Sequence, residues 1–154
     1  MRRKRKPALK IIVFTLIIIL LCLLLYVIFS QSSKDRATSL VEDFYQYEKS
    51  GNFGGSWTLF HPLMKKKFSQ EDYIQRRAHV FMQDFGAKTF SYTVGKAHHL
   101  KSWTFSKESP KFKNTYQVPI TQTFKSEFGV FTIHQDVYVV EEKDKWYILW
   151  AYKK

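Results

Sequence analysis

The sequence predicts an α+β domain that follows an apolar N-terminal helix. Three observations carry this reading: an uncharged apolar run over residues 11–29, helical spacing of apolar residues from Ala37 to Phe85, and period-two alternation after Gly86. Helices followed by antiparallel strands bury their apolar stripes by packing on one face of a curved sheet.

Residues 11–29 contain no charge and no Gly or Pro. A helix over that run would rise roughly 28 Å, near the hydrocarbon thickness of a bilayer, so a single transmembrane helix is expected there. Arg2, Arg3, Lys4, Arg5, Lys6 and Lys10 precede the run without an acidic residue, and Ser30-Gln31-Ser32-Ser33 follows it. This asymmetry predicts a cytoplasmic tail over 1–10, a single-pass cell-membrane protein and an extracytoplasmic C-terminal domain. The run is longer than a signal-peptide core and no small-x-small site closes it, so retention is expected, with cleavage near Ser30 and Ser32 as the alternative. Cys22 is the one cysteine and lies mid-run, which leaves the rest of the chain without disulfides or thiolate metal ligands.

Residues 30–36 read as a short linker and 37–154 as one domain, large enough for a single hydrophobic core. Ala37, Leu40, Val41, Phe44 and Tyr47 follow i, i+3, i+4 spacing, with Asp35 and Lys49 placed to suit the helix dipole. The run from Ser50 to Gly55 ends that helix. Ser56 is the expected N-cap of a second, short helix carrying Trp57, Leu59 and Phe60, which Pro62 interrupts or ends. Ser69-Gln70-Glu71-Asp72 resembles a capping box with Asp at its last position. The third helix shows Ile74, Ala78, Phe81 and Phe85 on one face and stops at Gly86.

Phe90, Tyr92 and Val94 then alternate, and the chain continues through His98-His99 to Trp103 and Phe105. Residues 106–114 are rich in Lys, Ser and Pro and read as a loop. Tyr116, Val118 and Ile120 form the next strand, where Pro119 suggests an edge or a bulge. Glu127-Phe128-Gly129 is a turn. Beyond it Phe131, Ile133, Gln135, Val137 and Val139 alternate against Val130, Thr132, His134, Asp136, Tyr138 and Val140. Lys143-Asp144-Lys145 connects to Trp146, Ile148, Trp150 and Tyr152, so the sheet is mainly four-stranded.

Formal net charge is +12, and the six basic residues before the apolar run account for half of it. The remainder carries about +6, from 19 Lys and Arg against 13 Asp and Glu. Such an excess suits an anionic neighbourhood such as lipid headgroups or wall polyanions, and nucleic acid is not an expected partner for an extracytoplasmic domain.

The segment Glu127-Phe128-Gly129-Val130, its alternating strand, Glu141-Glu142-Lys143-Asp144-Lys145 and Trp146-Tyr147-Ile148-Leu149-Trp150 resembles a terminal hairpin seen elsewhere. It is similar to the end of the MecA-type N-terminal domain that precedes the transpeptidase in certain penicillin-binding proteins. Trp57-Thr58-Leu59-Phe60-His61-Pro62, with Phe68-Ser69 and Tyr73, is similar to the helical half of such domains. The likeness covers roughly residues 36–152. It implies a cone of three helices on a curved sheet, as in the nuclear-transport-factor-2-like (cystatin-like cone) superfamily. It also implies a Gram-positive bacterium and a link to cell-wall synthesis. The sequence holds no transpeptidase, so penicillin-binding activity is not expected of it.

Enzymes of that superfamily work inside the cone with a carboxylate base and an acid that stabilises an oxyanion. His134, Asp136 and Tyr138 share one strand face; were it the concave one, Asp136 would be the base. Phe131, Ile133, Val137 and Val139 are the more apolar set, which makes the His134 face the outer one and an interaction surface. His98 and His99 point to opposite faces and cannot readily bind one metal, and no phosphate loop, nucleophile elbow or zinc signature occurs, so no cofactor is expected. Lys65-Lys66-Lys67 is a candidate anionic-surface contact, and Trp57, Phe81, Trp146 and Trp150 are candidate cone-lining residues. The expected function is a membrane-anchored, non-catalytic protein-interaction module of the cell envelope, meeting an envelope protein or itself. The alternatives are a small-molecule-binding or enzymatic cone, and a scaffold subunit of a conjugation or secretion apparatus.

Overall fold

A computed structural model describes residues 6–29, 32–84, 86–87 and 89–151, with the side chains of 6–10, 27–29, 81 and 82 outside the description. The chain divides into two compact units, Met1–Ser32 and Ser33–Lys154. In the first, α1 spans Lys6–Phe29. Its described side chains, residues 11–26, are all exposed. Among the described residues no helix is long and apolar enough to cross a membrane. The expected transmembrane helix over 11–29 is corrected accordingly, together with the single-pass topology and the cell-membrane localisation that rested on it.

The second unit is α+β. Helix α2 (Ser33–Lys49) begins inside the expected linker and is followed by α3 (Phe53–Thr58), α4 (Pro62–Lys67) and α5 (Gln70–Ala78). A π-helical turn, His79–Asp84, extends α5. Where three helices were expected in this unit, Pro62 splits the second into α3 and α4. Asn52, not Ser56, caps α3: its Oδ1 accepts the Gly55 N–H at 2.9 Å, and Ser56 lies one turn inside. Ser69 caps α5 as expected, its Oγ accepting the Asp72 N–H at 3.1 Å.

The buried stripe of α2 is Ala37, Val41, Phe44, Tyr45 and Glu48, while Tyr47 is exposed. On α5 the buried residue is Tyr73, and Ile74 is exposed. On α2 the predicted Ala37, Val41 and Phe44 are buried, with Tyr45 and Glu48 facing inward in place of Tyr47, whereas α5 is turned toward Tyr73 and Arg77.

Strands β1 (Phe90–Val94), β2 (His98–Thr104), β3 (Lys111–Ser126), β4 (Gly129–Glu142) and β5 (Lys145–Trp150) form one antiparallel sheet. β3 is its spine. One side pairs with β2 along its first half and with β1 along its second, and the other side pairs with β4, which pairs with β5. Five strands are present where four were expected, but β1 and β2 lie end to end, so the sheet is four strands wide. The break between them explains Pro119. Its carbonyl accepts the Gly95 N–H at 2.8 Å, so its backbone faces the interrupted neighbour and the missing proline donor costs no ladder bond. Pro119 therefore sits in a central strand rather than at an edge. Gly95 is needed for this approach: a Cβ there would lie 3.1 Å from the Pro119 carbonyl oxygen.

The helices pack on the face formed by Val118, Ile120 and Phe124 of β3, Val137 and Val139 of β4 and Ile148 of β5, all buried. Phe60 joins this core through rings at 5.2 Å from Phe44, 5.1 Å from Tyr73 and 5.0 Å from Trp150. Full burial of each such aromatic contributes about 2–3 kcal/mol. A parallel bridge between Phe60 and Ile148 attaches the helical half to the free edge of β5.

Candidate functional site

Two polar constellations stand out, one buried and one exposed. The buried one is centred on Glu48, the one buried carboxylate among the described residues. Its phase on α2 is that of Ala37, Val41 and Phe44, so the helix carries it into the core. Arg77 of α5 donates Nε–H to Oε2 at 2.7 Å and also engages it through Nη2. Tyr73 O–H donates to Oε1 at 2.8 Å, and Ser56 Oγ joins the same oxygen. One carboxylate thereby ties α2, α3 and α5 together with both oxygens occupied, the arrangement that offsets the cost of burying a charge. Nearby, burial raises the Tyr45 phenol well above its ordinary value, opposed by the Arg77 charge; burial and the Glu48 charge do the same to Tyr73.

The interior around this cluster is filled with rings. Trp150 lies 5.9 Å from Phe44, 6.2 Å from Tyr73 and 5.7 Å under the Arg77 guanidinium. Trp146 sits nearer the start of α2, beneath Arg36 at 5.5 Å and beside Tyr116 at 5.7 Å. Trp57 belongs to the helical layer, where its Nε1–H donates to the Phe68 carbonyl at 3.0 Å. The Phe81 side chain lies outside the described residues. The four residues expected to line one cone therefore divide: Trp150 faces the buried cluster, Trp146 packs at the other end of the same strand face, and Trp57 is elsewhere.

The exposed constellation lies on the opposite face of β3 and β4. Thr121 Oγ1 meets His134 Nδ1 at 3.0 Å, Gln117 Nε2–H donates to Asp136 Oδ2 at 2.7 Å, and Thr123 and Thr132 hydroxyls meet at 3.4 Å. His134 and Asp136 are exposed, so Asp136 has no apolar pocket around it. Tyr138 differs. Trp103 stacks on its ring at 4.2 Å and 16°, and burial, with the Asp136 charge, raises its phenol pKa. Its neighbours on that face, Val140 and Leu149, are fully buried. At the other end, beyond Thr132, Val130 is 68% exposed and Phe128 at the hairpin turn is 82% exposed.

The lysine run is not one surface. Lys65 turns in, donating to the Thr58 carbonyl at 2.8 Å over the Trp57 ring at 4.7 Å, and burial lowers its pKa. Lys66 and Lys67 are exposed. His61 caps α4: Nδ1 accepts the Leu63 N–H at 3.1 Å, which leaves Nε2–H to donate to Glu142 at 3.1 Å. His98 and His99 are both exposed, the latter beside Tyr116 at 5.3 Å, and exposed His79 lies 3.3 Å from Asp84. Among the described residues no group of three or more His, Cys, Asp or Glu is placed to hold a metal ion.

The buried cluster is what sequence reasoning missed. Its one trace is the eleven-residue step from Ala37 to Glu48, three helical turns, which puts a carboxylate on the apolar stripe.

No protein-family model and no curated protein matches this chain. Among solved structures it is similar to Bd1075 of Bdellovibrio bacteriovorus, at 13% identity and a TM-score of 0.48, over 78% of this chain and 42% of that one. The chain thus spans less than half the length of that neighbour.

Proposed function

We propose that the Ser33–Lys154 unit is a non-catalytic protein-interaction module that docks through the bare half of its outer sheet face. The observation that carries this reading is the pairing of exposed Phe128 and Val130 with the polar ladder of Thr121, Thr123, Thr132, His134 and Asp136. An apolar anchor bordered by exposed hydrogen-bonding groups is the anatomy of a protein interface. Two further facts favour binding over catalysis. Glu48 is held by three partners, and Asp136 stands in solvent where a general base gains nothing from its surroundings. A partner in cell-wall synthesis is the class that the hairpin resemblance suggests.

The test is photocrosslinking in cells from positions Phe128, Val130 and His134, with Glu71 on α5 as a control. One and the same protein captured from the three positions and not from Glu71, and lost on Phe128→Ser, supports the reading. Equal capture from Glu71, or capture that survives Phe128→Ser, overturns it.

A further inference from the structure

The excess charge of the second unit is concentrated in one place that the lysine run at 65–67 does not include. Between Lys96 and Asn114 the chain carries Lys96, Lys101, Lys107, Lys111 and Lys113 against a single acid, Glu108. Net +4 of the roughly +6 beyond residue 10 therefore lies on the β2–β3 hairpin and its approach. All five ammonium groups belong to exposed residues, and among the described residues none is in an ion pair. His98 and His99 add two exposed imidazoles.

The hairpin's geometry limits what it can grip. Ser102 pairs with Lys113 and Thr104 with Lys111, so those lysines share a face. Lys101 is one residue out of step with Ser102 and projects from the other face. Two cations thus line the open face, and Lys101 stands exposed on the face that carries Trp103 and Phe112. None of them is an arginine, so the arm offers point charges without the planar fork that recognises carboxylates bidentately. Its rings are turned inward: Trp103 lies against Tyr138, Phe112 is buried against His61, and Tyr116 is buried beside Trp146. No ring of these three is free to stack on a nucleobase.

We propose that the β2–β3 arm is a docking surface for a flexible phosphodiester polymer without bases, of the polyol-phosphate type. A flexible chain can follow the open face past Lys111 and Lys113 and bend round to exposed Lys101. A rigid duplex reaches one face only, and a single-stranded nucleic acid finds no stacking platform in Trp103, Phe112 or Tyr116. This surface is separate from the Phe128 end of the sheet and does not depend on the protein-docking reading.

The experiment uses the full chain, with non-ionic detergent covering the exposed apolar residues 11–26. Its probe is a deacylated glycerol-phosphate polymer titrated at several salt concentrations. The comparison is between K101Q/K111Q/K113Q and a charge-matched control, K34Q/K66Q/K125Q, both checked for an unchanged melt. Binding by the wild type is expected to weaken steeply with salt. The arm variant should lose about tenfold or more in affinity at low salt, with its log–log salt slope reduced by about 2, while the control stays within about twofold. Equal losses in both variants would mean that net charge alone binds the polymer and would overturn the proposal. So would no binding, tighter binding to duplex DNA of equal phosphate content, or binding confined to anionic lipid vesicles.

Discussion

The two ends of β4 present the same strand face to very different surroundings. Near its end, Tyr138 and Val140 lie on the outer face with Leu149 of β5, and that face is closed, with Trp103 stacked on Tyr138. Near its start, Val130, Thr132, His134 and Asp136 occupy the same face in the open. One sheet is thus buried on both sides at one end, whereas at the other the outer face of β4 is bare and its inner face only partly covered, with Phe131 half-buried and Ile133 exposed. The difference comes from β2, which extends only along the first half of β3 and carries Trp103 over the closed end. A face that is half covered leaves a bounded patch, where a wholly bare face would be an aggregation liability.

That contrast can be broken at several points. The largest effect is expected at the helical seam that holds the inner face in place. Glu48→Ala leaves Arg77 without its carboxylate and should cost about 3–5 kcal/mol in denaturant unfolding, whereas replacing both by Leu and Met should recover most of the loss. Trp103→Ala strips the closed end, exposing Tyr138; a loss of about 2–3 kcal/mol is expected, with a matching gain in the ease of tyrosinate formation at position 138.

Alkali sharpens the inner face. Tyr45 and Tyr73 have phenol pKa values raised in the folded protein, so their contribution to stability is complete below the unfolded value near 10. Above it the unfolded state releases protons that the folded state retains. Stability should then fall by about 1.4 kcal/mol per pH unit for each phenol until the folded pKa is passed. Ultraviolet titration should show these two phenols ionising only with unfolding; reversible ionisation in the folded protein would show that they are not sealed. The smallest effect belongs to the open end, where His134→Ala should change stability by less than about 0.5 kcal/mol. A larger loss would mean that this half of the face is structural.

Which of these features was legible in the sequence follows from physical scale. Strand alternation assigned Val137 and Val139 to the core and His134 and Asp136 to solvent, because period two is read locally. The hairpin at Lys143-Asp144 was equally local; both residues take positive φ, 50° and 62°, as a type I′ turn requires. Helix phases were less secure. Tyr45 and Glu48 face inward through partners on other helices, Arg77 and Ser56 among them, and such pairs have no signature in spacing. Tyr138 was assigned with His134 because alternation cannot show that Trp103, 35 residues earlier, folds across it. The expected anchor relied on apolarity and length alone, and among the described residues no helix is long and apolar enough to cross a membrane.

The break at Gly95–Pro119 also bears on how the molecule stays apart from its own kind. An unpaired strand edge is a template on which another chain can lengthen the sheet. Here one margin is cut into five- and seven-residue pieces by the interruption between β1 and β2. The opposite margin is plugged midway, where Ile148 exchanges hydrogen bonds with Leu59 and His61 at 2.9 and 3.0 Å. Neither of these edges offers an incoming strand a long uninterrupted row of donors and acceptors; the open row that remains among the described residues is 129–136 of β4, which pairs with β3 alone.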